Sequence, residues 1–127
     1  MGYPAGMSFG LKDLELIDRT VEVEIETQPP DGTPRRTVIW AVVDDGQVFI
    51  RSWKGANALW YRELQANPAV ALHVEGRRLT ASAIPATDPD SVQRTSDGFM
   101  RKYAGDPGAK AMCAEEILDT TLRLEPT

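Results

Sequence analysis

The sequence predicts a mainly β domain of the α+β class, in which short strands form an antiparallel barrel or meander. Three observations lead to this class. About six segments have the composition or alternation of strands, tight-turn signals follow several of them, and one helix interrupts the series. Short strands joined by tight turns favour antiparallel pairing, because parallel strands need long crossover connections.

The first half of the chain contains a short helix and three strands. The first strand alternates valine or isoleucine with glutamate, which predicts a half-buried strand with a solvated acidic face. The second is apolar on both faces and is expected to be central, and Asp44-Asp45-Gly46 predicts a hairpin turn after it. These elements are a helix over residues 12–17, with Leu11, Leu14 and Ile17 on one face, and strands over residues 20–27, 36–43 and 47–53.

The second half alternates helices with strands. Asn67-Pro68 ends the first of these helices, and Thr87-Asp88-Pro89-Asp90 begins the second, because a polar cap followed by proline and an acid favours a helix start. Asp106-Pro107 repeats that signal. The predicted elements are helices over residues 56–66, from residue 89 to about 103 and from residue 107 onward, and strands over residues 69–75, 79–86 and 119–125.

Composition limits the classes of function. The 127 residues predict a single domain spanning residues 1–127, of which residues 1–10, rich in glycine, proline and methionine, are expected to be flexible. A net charge of −5 argues against a nucleic-acid or acidic-membrane partner. The single Cys113 fits a reducing compartment, and no apolar run has the length of a membrane span. We therefore expect a cytoplasmic protein that binds neither nucleic acid nor membrane.

The charge is unevenly distributed along the chain. The segment from residue 33 to residue 78 contains seven cations and four acids, so it carries +3 and the remainder −8. A cationic middle in an acidic chain suits a local site for a small phosphate-bearing ligand better than a long polyanion. The cations are Arg35, Arg36, Arg51, Lys54, Arg62, Arg77 and Arg78.

The sequence Arg51-Ser52-Trp53-Lys54-Gly55 places a basic loop between the end of a strand and the start of a helix. Such a loop can hold an anion, since the helix start adds unpaired N–H groups and the positive end of its dipole. Arg51 would supply a planar fork, Lys54 a point charge and Ser52 a hydroxyl donor. The alternative is a solvated turn without a ligand.

Aromatic side chains are concentrated near this loop. Trp40, Trp53 and Trp60 could form a wall beside a planar ring, or they could pack in the core or in a dimer interface. Tyr61 and Tyr103 could donate a proton to a substrate, although a buried hydroxyl bonded to the backbone is the commoner arrangement. The sequence leaves both alternatives open.

The remaining reactive side chains do not form a recognisable catalytic or metal motif. His73 is the single histidine and shares a strand face with Glu75, which would allow a His–Glu pair. One histidine and one cysteine cannot make a zinc site or a Cys–His nucleophile. We therefore expect no metal site and assign no catalytic residue.

The stretch from Arg36 to about Asp90 resembles the flavin-binding split-barrel superfamily, which includes pyridoxamine 5'-phosphate oxidase-like proteins. Trp60-Tyr61, followed by Leu64, Asn67-Pro68 and Val70, is most similar to the deazaflavin-dependent nitroreductases and quinone reductases. The segment Thr120-Thr121-Leu122-Arg123-Leu124 is similar to a small uncharacterised group of the same superfamily.

The resemblance implies a six-stranded antiparallel split β-barrel with a few short helices, and a homodimer with its cofactor at the subunit interface. It implies FMN or the deazaflavin coenzyme F420 as the cofactor. The cofactor-binding positions that it implies are Val38, Ile39, Trp40, Arg51, Ser52, Lys54, Gly55, Trp60 and Tyr61.

The function that this resemblance implies is an oxidoreductase that transfers a hydride from the reduced cofactor to a small conjugated acceptor, such as a quinone, enone or nitro compound. A split barrel can also bind a flavin or haem-type ligand without catalysis, which is the main alternative. A third possibility is a dimeric structural protein whose site has lost its ligand.

Overall fold

The computed structural model describes residues 8–127 and is built on one antiparallel sheet of seven strands in the order β2-β1-β5-β6-β7-β4-β3. The strands are β1 Val23–Thr27, β2 Arg35–Ile39, β3 Ala41–Asp44, β4 Gln47–Ile50, β5 Ala69–Val74, β6 Arg77–Pro85 and β7 Leu122–Pro126. The helices are α1 Leu11–Arg19, α2 Leu59–Ala66, α3 Pro89–Lys102 and α4 Pro107–Ala111, with 3-10 turns at Gly55–Asn57 and Glu115–Thr120.

The prediction of six strands is wrong by one, because the predicted second strand is divided at Trp40. Its first part, β2, pairs with β1, whereas its second part, β3, pairs with β4. Most residues in the stretch are β-branched or aromatic and favour a strand, so the pattern does not reveal that the chain changes partners. Since β2 and β3 are the two edges of the sheet and one residue separates them, the sheet must curl into a partly closed barrel.

Two apolar clusters stabilise this barrel. The larger one fills the interior with residues from all seven strands, α1 and α2. The smaller one lies outside, where Val42 of β3 and Phe49 of β4 pack with Phe99 of α3 and Met112. Both faces of β3 and β4 are therefore buried, which explains why this part of the sequence is apolar on both faces.

Helix α1 confirms the predicted amino-terminal helix but not all of its predicted apolar face. Leu14 and Ile17 are buried as expected, whereas Leu11 is exposed and Leu16 is buried instead. The acidic face of β1 also differs from the prediction. Glu26 is buried, because Arg78 and His73 from neighbouring strands contact its carboxylate.

The helix-start signals are confirmed with one difference in length. The Asp88 side chain accepts a hydrogen bond from the Ser91 backbone N–H and caps α3. Asp106 caps α4 in the same way, but α4 is short and the chain continues as a 3-10 turn. The predicted helix over residues 56–66 is likewise a 3-10 turn followed by α2, because the backbone at Ala58 is extended.

The flexibility of residues 1–10 stays a prediction. Residues 1–7 lie outside the described residues, and Phe9 is buried in the barrel interior. Within residues 8–127, no helix is both long enough and apolar enough to cross a membrane.

Candidate functional site

A cleft of about 560 Å³ opens where the chain passes from β2 to β3. Its volume lies in the range of roughly 300–1,000 Å³ that is typical of small-molecule sites. Strand β2, the loop after β4, the start of α2 and helix α4 all contribute to it. The lining residues are Glu22, Arg35, Thr37, Val38, Ile39, Trp40, Arg51, Trp53, Lys54, Ala58, Leu59, Trp60, Gly108 and Met112.

The structure brings six of the nine predicted site residues to this cleft, namely Val38, Ile39, Trp40, Arg51, Lys54 and Trp60. The other three do not line it. Ser52 is buried, and its Oγ donates to the Gly55 carbonyl at 2.6 Å, which fixes the loop rather than a ligand. Gly55 has a φ of +72°, so it allows the tight turn, and Tyr61 points into the barrel interior.

All three tryptophans line the cleft, but each is held differently. Trp40 stacks on Tyr103 with ring centroids 3.8 Å apart and planes 3° from parallel. Trp60 is buried, whereas Trp53 is 65% exposed. The cleft thus has two fixed aromatic surfaces and one that is free to cover a ligand.

Helix α4 approaches Trp40 closely through Gly108. A Cβ at this position would lie 2.8 Å from Cη2 of Trp40, so any side chain there would displace the indole. The absence of a side chain therefore allows Trp40 to lie flat between α4 and Tyr103.

Arg51 lies at the base of the cleft and is only 1% exposed. Four of its N–H groups donate to Thr121 Oγ1, Ser96 Oγ and the carbonyls of Met112 and Val92, at 2.9–3.1 Å. No carboxylate among the described residues pairs with it, and burial lowers the pKa of its guanidinium from 12.5 to about 10. Arg51 therefore remains charged at neutral pH, but most of its donors serve the fold.

Arg35 is a cleft residue that the sequence interpretation missed. Its Nε lies 3.1 Å and 3.0 Å from the two carboxylate oxygens of Glu63, which is buried on α2. Glu63 also accepts a hydrogen bond from Thr27 Oγ1 at 2.8 Å. The positive charge of the middle segment could have pointed to Arg35, but its partner lies 28 residues away and no local pattern connects them.

The charged residues of the cleft are three cations and one acid, Glu22. Lys54 forms no hydrogen bond or ion pair with any residue of the described range, so its charge is free for a ligand. The Nη atoms of Arg35 form no hydrogen bond within the same range either. The cleft is therefore cationic although the chain as a whole carries −5.

Tyr103 and Lys102 support the cleft from behind Trp40. The Tyr103 hydroxyl donates to the Val21 carbonyl at 2.6 Å, and burial raises its pKa. Lys102 Nζ donates to the carbonyls of Ile17 and Ala41, and burial lowers its pKa from 10.5 to about 8. Lys102 thus joins α1 to the start of β3, and Tyr103 holds the segment between α1 and β1. For Tyr103 this is the structural alternative that the sequence had left open.

His73 lies away from the cleft. Its Nε2 is 2.7 Å from Glu26 Oε1, so its partner is Glu26 and not Glu75 as the sequence suggested. No group of three or more His, Cys, Asp or Glu side chains within residues 8–127 is placed to hold a metal ion.

Residues 13–124 match a protein family described as uncharacterized protein conserved in bacteria (DUF2255). The chain belongs to this family. The part that matches DUF2255 contains every residue that lines the cleft.

Solved structures similar to this DUF2255 protein share its fold. HutZ, a heme storage protein from Vibrio cholerae, has a TM-score of 0.69 and 15% identity, with 95% of this chain and 92% of that chain covered. A putative 5-nitroimidazole antibiotic resistance protein from Bacteroides thetaiotaomicron has a TM-score of 0.68 and 12% identity, with 92% of this chain and 80% of that chain covered. An F420 reductase has a TM-score of 0.60 and 20% identity, with 89% of this chain and 91% of that chain covered.

At these identities the likeness concerns the fold alone. The shared fold agrees with the split β-barrel that the sequence resemblance implied.

Proposed function

We propose that this DUF2255 protein is a homodimeric oxidoreductase that binds a flavin-type cofactor, coenzyme F420 or FMN, in the cleft beside Trp40. One observation carries the proposal: a single cleft contains six of the nine residues that the resemblance implied, including two aromatic surfaces and a free lysine. The similar F420 reductase and heme storage structures agree with a planar ligand.

The residues present fit such a cofactor. Val38, Trp53 and Leu59 are 55%, 65% and 51% exposed, and they surround the cleft with apolar surface that a planar ring would cover. Lys54 is the free cation of the loop after β4 and suits the anionic part of the molecule. This division into an apolar wall and a cationic end matches a ring system that carries a phosphate.

When bound, the reduced cofactor would supply a hydride to a small conjugated acceptor, and water would supply the accompanying proton. The chain's own residues would orient the ring and cover it, while the proton would reach the product from bulk solvent. Trp40 is held by its stack on Tyr103 and by the close approach of Gly108, so it provides a rigid wall, whereas Trp53 can close over the ligand. Arg51 places a buried positive charge at the base of the cleft, where it would stabilise negative charge on the ligand.

A second candidate is a protein that binds a flavin or haem-type ligand without turnover. The observation that favours it is the fold shared with HutZ, a heme storage protein. Turnover assays with quinones, enones and nitro compounds separate the two functions, because a protein that only binds the ligand reduces none of these compounds.

The first test is thermal unfolding of the cofactor-free protein with excess F420, FMN or FAD. A ligand at about 100 times its Kd stabilises the folded state by roughly 2.7 kcal/mol. We expect this shift with F420 or FMN. The absence of a shift with all three cofactors would contradict the proposal.

A matched pair of variants locates the binding site. Trp53→Ala removes the free aromatic surface of the cleft and should weaken cofactor binding by roughly tenfold, in keeping with one aromatic contact. Met100→Ala removes an exposed apolar side chain of α3 that does not line the cleft, so the affinity of this variant should equal that of the wild type. Equal losses in both variants would place the ligand elsewhere.

A further inference from the structure

We infer that the cleft holds a phosphate group of its ligand between Arg35 and Lys54, and that Glu63 is the positioning residue that aims Arg35. The inference rests on the proposed function, because it identifies the part of the cofactor that these residues bind. The sequence predicted a phosphate clamp of Arg51, Ser52 and Lys54. The inference keeps Lys54 and replaces the other two residues by Arg35.

The contacts of Arg35 leave both Nη groups of its guanidinium free to bind a ligand. Glu63 holds Nε between its two carboxylate oxygens, at 3.1 Å and 3.0 Å, while Thr27 fixes the same carboxylate from the side. The two Nη atoms have no partner among residues 8–127, and about half of the side chain is exposed. A guanidinium held at Nε thus presents its Nη donors to the cleft, in the arrangement that binds phosphate oxygens.

Two of the three residues that the sequence predicted to bind the phosphate, Arg51 and Ser52, are used within the fold. Arg51 commits four N–H groups to hydroxyl and carbonyl acceptors, and the Ser52 hydroxyl donates to Gly55. A phosphate that drew these donors away would leave buried acceptors without partners, which costs about 1–3 kcal/mol for each. Arg35 and Lys54 can bind it without that loss.

Charge agrees with this assignment. The lining carries three cations and one acid, so its formal charge is +2, and a phosphate monoester carries roughly −1.5 to −2 at neutral pH. Glu63 offsets part of the charge of Arg35, so the main role of this pair is to orient the Nη donors towards the phosphate. Lys54 supplies the positive charge that no acid offsets.

The test compares FMN with riboflavin, which differ in the phosphate alone, and F420 with its deazaflavin chromophore, which lacks the acidic tail as well as the phosphate. Affinities are measured for the wild type and for Arg35→Gln, Lys54→Gln, Glu63→Gln and the control Arg36→Gln. Arg36 is adjacent in β2 but pairs with Glu24 and does not line the cleft.

We expect the wild type to prefer the phosphate-bearing ligand. Arg35→Gln and Lys54→Gln should each weaken binding of that ligand by roughly tenfold to a hundredfold while leaving the phosphate-free ligand unchanged. Glu63→Gln should reduce the same preference, and Arg36→Gln should not. Lys54 has no partner in the described chain, so its variant should fold even if Arg35→Gln does not. An unchanged preference in Lys54→Gln, or in a folded Arg35→Gln, would overturn the inference.

Inorganic pyrophosphate, followed by tryptophan fluorescence, separates this inference from the proposed function. If no flavin or deazaflavin binds but pyrophosphate does, and Arg35→Gln and Lys54→Gln weaken it, the proposed function fails and the phosphate site stands. If the cofactors bind with equal affinity with or without their phosphate, the proposed function stands and the phosphate site is wrong. If neither pyrophosphate nor any cofactor binds, both are wrong.

Discussion

Arg51 illustrates at the scale of one residue how a charge can belong to both the fold and the site. It lies against the cleft, yet it joins β4 to α3, to the turn after α4 and to the residue before β7. Its sequence context, a basic loop after a strand, predicted a ligand contact. The hydrogen-bond partners, which lie 41–70 residues away, could not be predicted from that context.

We predict that Arg51→Met lowers the free energy of unfolding by about 2–4 kcal/mol. The loss follows because several acceptors buried around the guanidinium would lose their donors, and each such loss costs about 1–3 kcal/mol, partly offset by removal of a buried charge. Chemical denaturation measures the change.

The control for this prediction is Arg62→Met. Arg62 is exposed on α2 and forms no ion pair within residues 8–127, so its variant should stay within about 0.5 kcal/mol of the wild type. An Arg51→Met variant as stable as Arg62→Met would contradict a structural role for Arg51.

At the scale of secondary-structure elements, Glu26 ties three strands together on the outside of the barrel. Its carboxylate in β1 accepts two hydrogen bonds from Arg78 of β6, at 3.1 Å and 2.8 Å, and lies 2.7 Å from His73 of β5. The hydrogen bond from Arg78, followed by that from His73, lowers the pKa of Glu26 from 4.5 to about 2. The alternating pattern of β1 alone had predicted a solvated glutamate.

This pKa shift predicts how stability depends on pH. Because the folded state holds Glu26 ionised, its stabilising contribution is complete above pH 4.5 and is lost as the pH falls from about 4.5 towards 2. Glu26→Gln should therefore flatten the loss of unfolding free energy between pH 4.5 and pH 2.5, as measured by urea denaturation at each pH.

Glu24→Gln is the matched control for Glu26→Gln, since Glu24 lies on the same strand face in a solvent-exposed pair with Arg36. Its acid dependence should follow that of the wild type. The same acid dependence in Glu26→Gln and in the wild type would contradict a stabilising role for the buried carboxylate.

At the scale of the whole molecule, the distribution of exposed apolar side chains supports the proposed homodimer. Among residues 8–127, three of the six exposed large apolar residues, Val38, Trp53 and Leu59, border the cleft. Apolar surface concentrated around one site is typical of a surface that a ligand or a second protein covers. A partner subunit here would complete the wall of the cleft.

We predict that light scattering gives twice the mass of the 14.0 kDa chain. Leu59→Glu, which introduces charge beside the cleft, should shift the protein towards the monomer. Met100→Glu, on α3 away from the cleft, should not. A monomeric wild type at micromolar concentration would rule out the homodimer.

The sequence by itself determined the class of fold and most of its elements. Alternation along β1, the Asp44-Asp45-Gly46 turn and the cap at Asp88 act through neighbouring residues, so their consequences are visible in the local pattern. The cationic loop and the three tryptophans identified the region of the cleft for the same reason, because they lie close together in the chain.

Tertiary structure alone decided which strands pair on either side of Trp40 and which cations remain free. The side-chain period of a strand indicates which residues lie on each face, but it does not indicate which strand pairs with it. The division into β2 and β3 therefore could not be predicted from the sequence. The availability of Arg35 and the commitment of Arg51 likewise depend on Glu63, Ser96 and Thr121. These contacts join distant parts of the chain, and their energies act only after the barrel has brought those parts together.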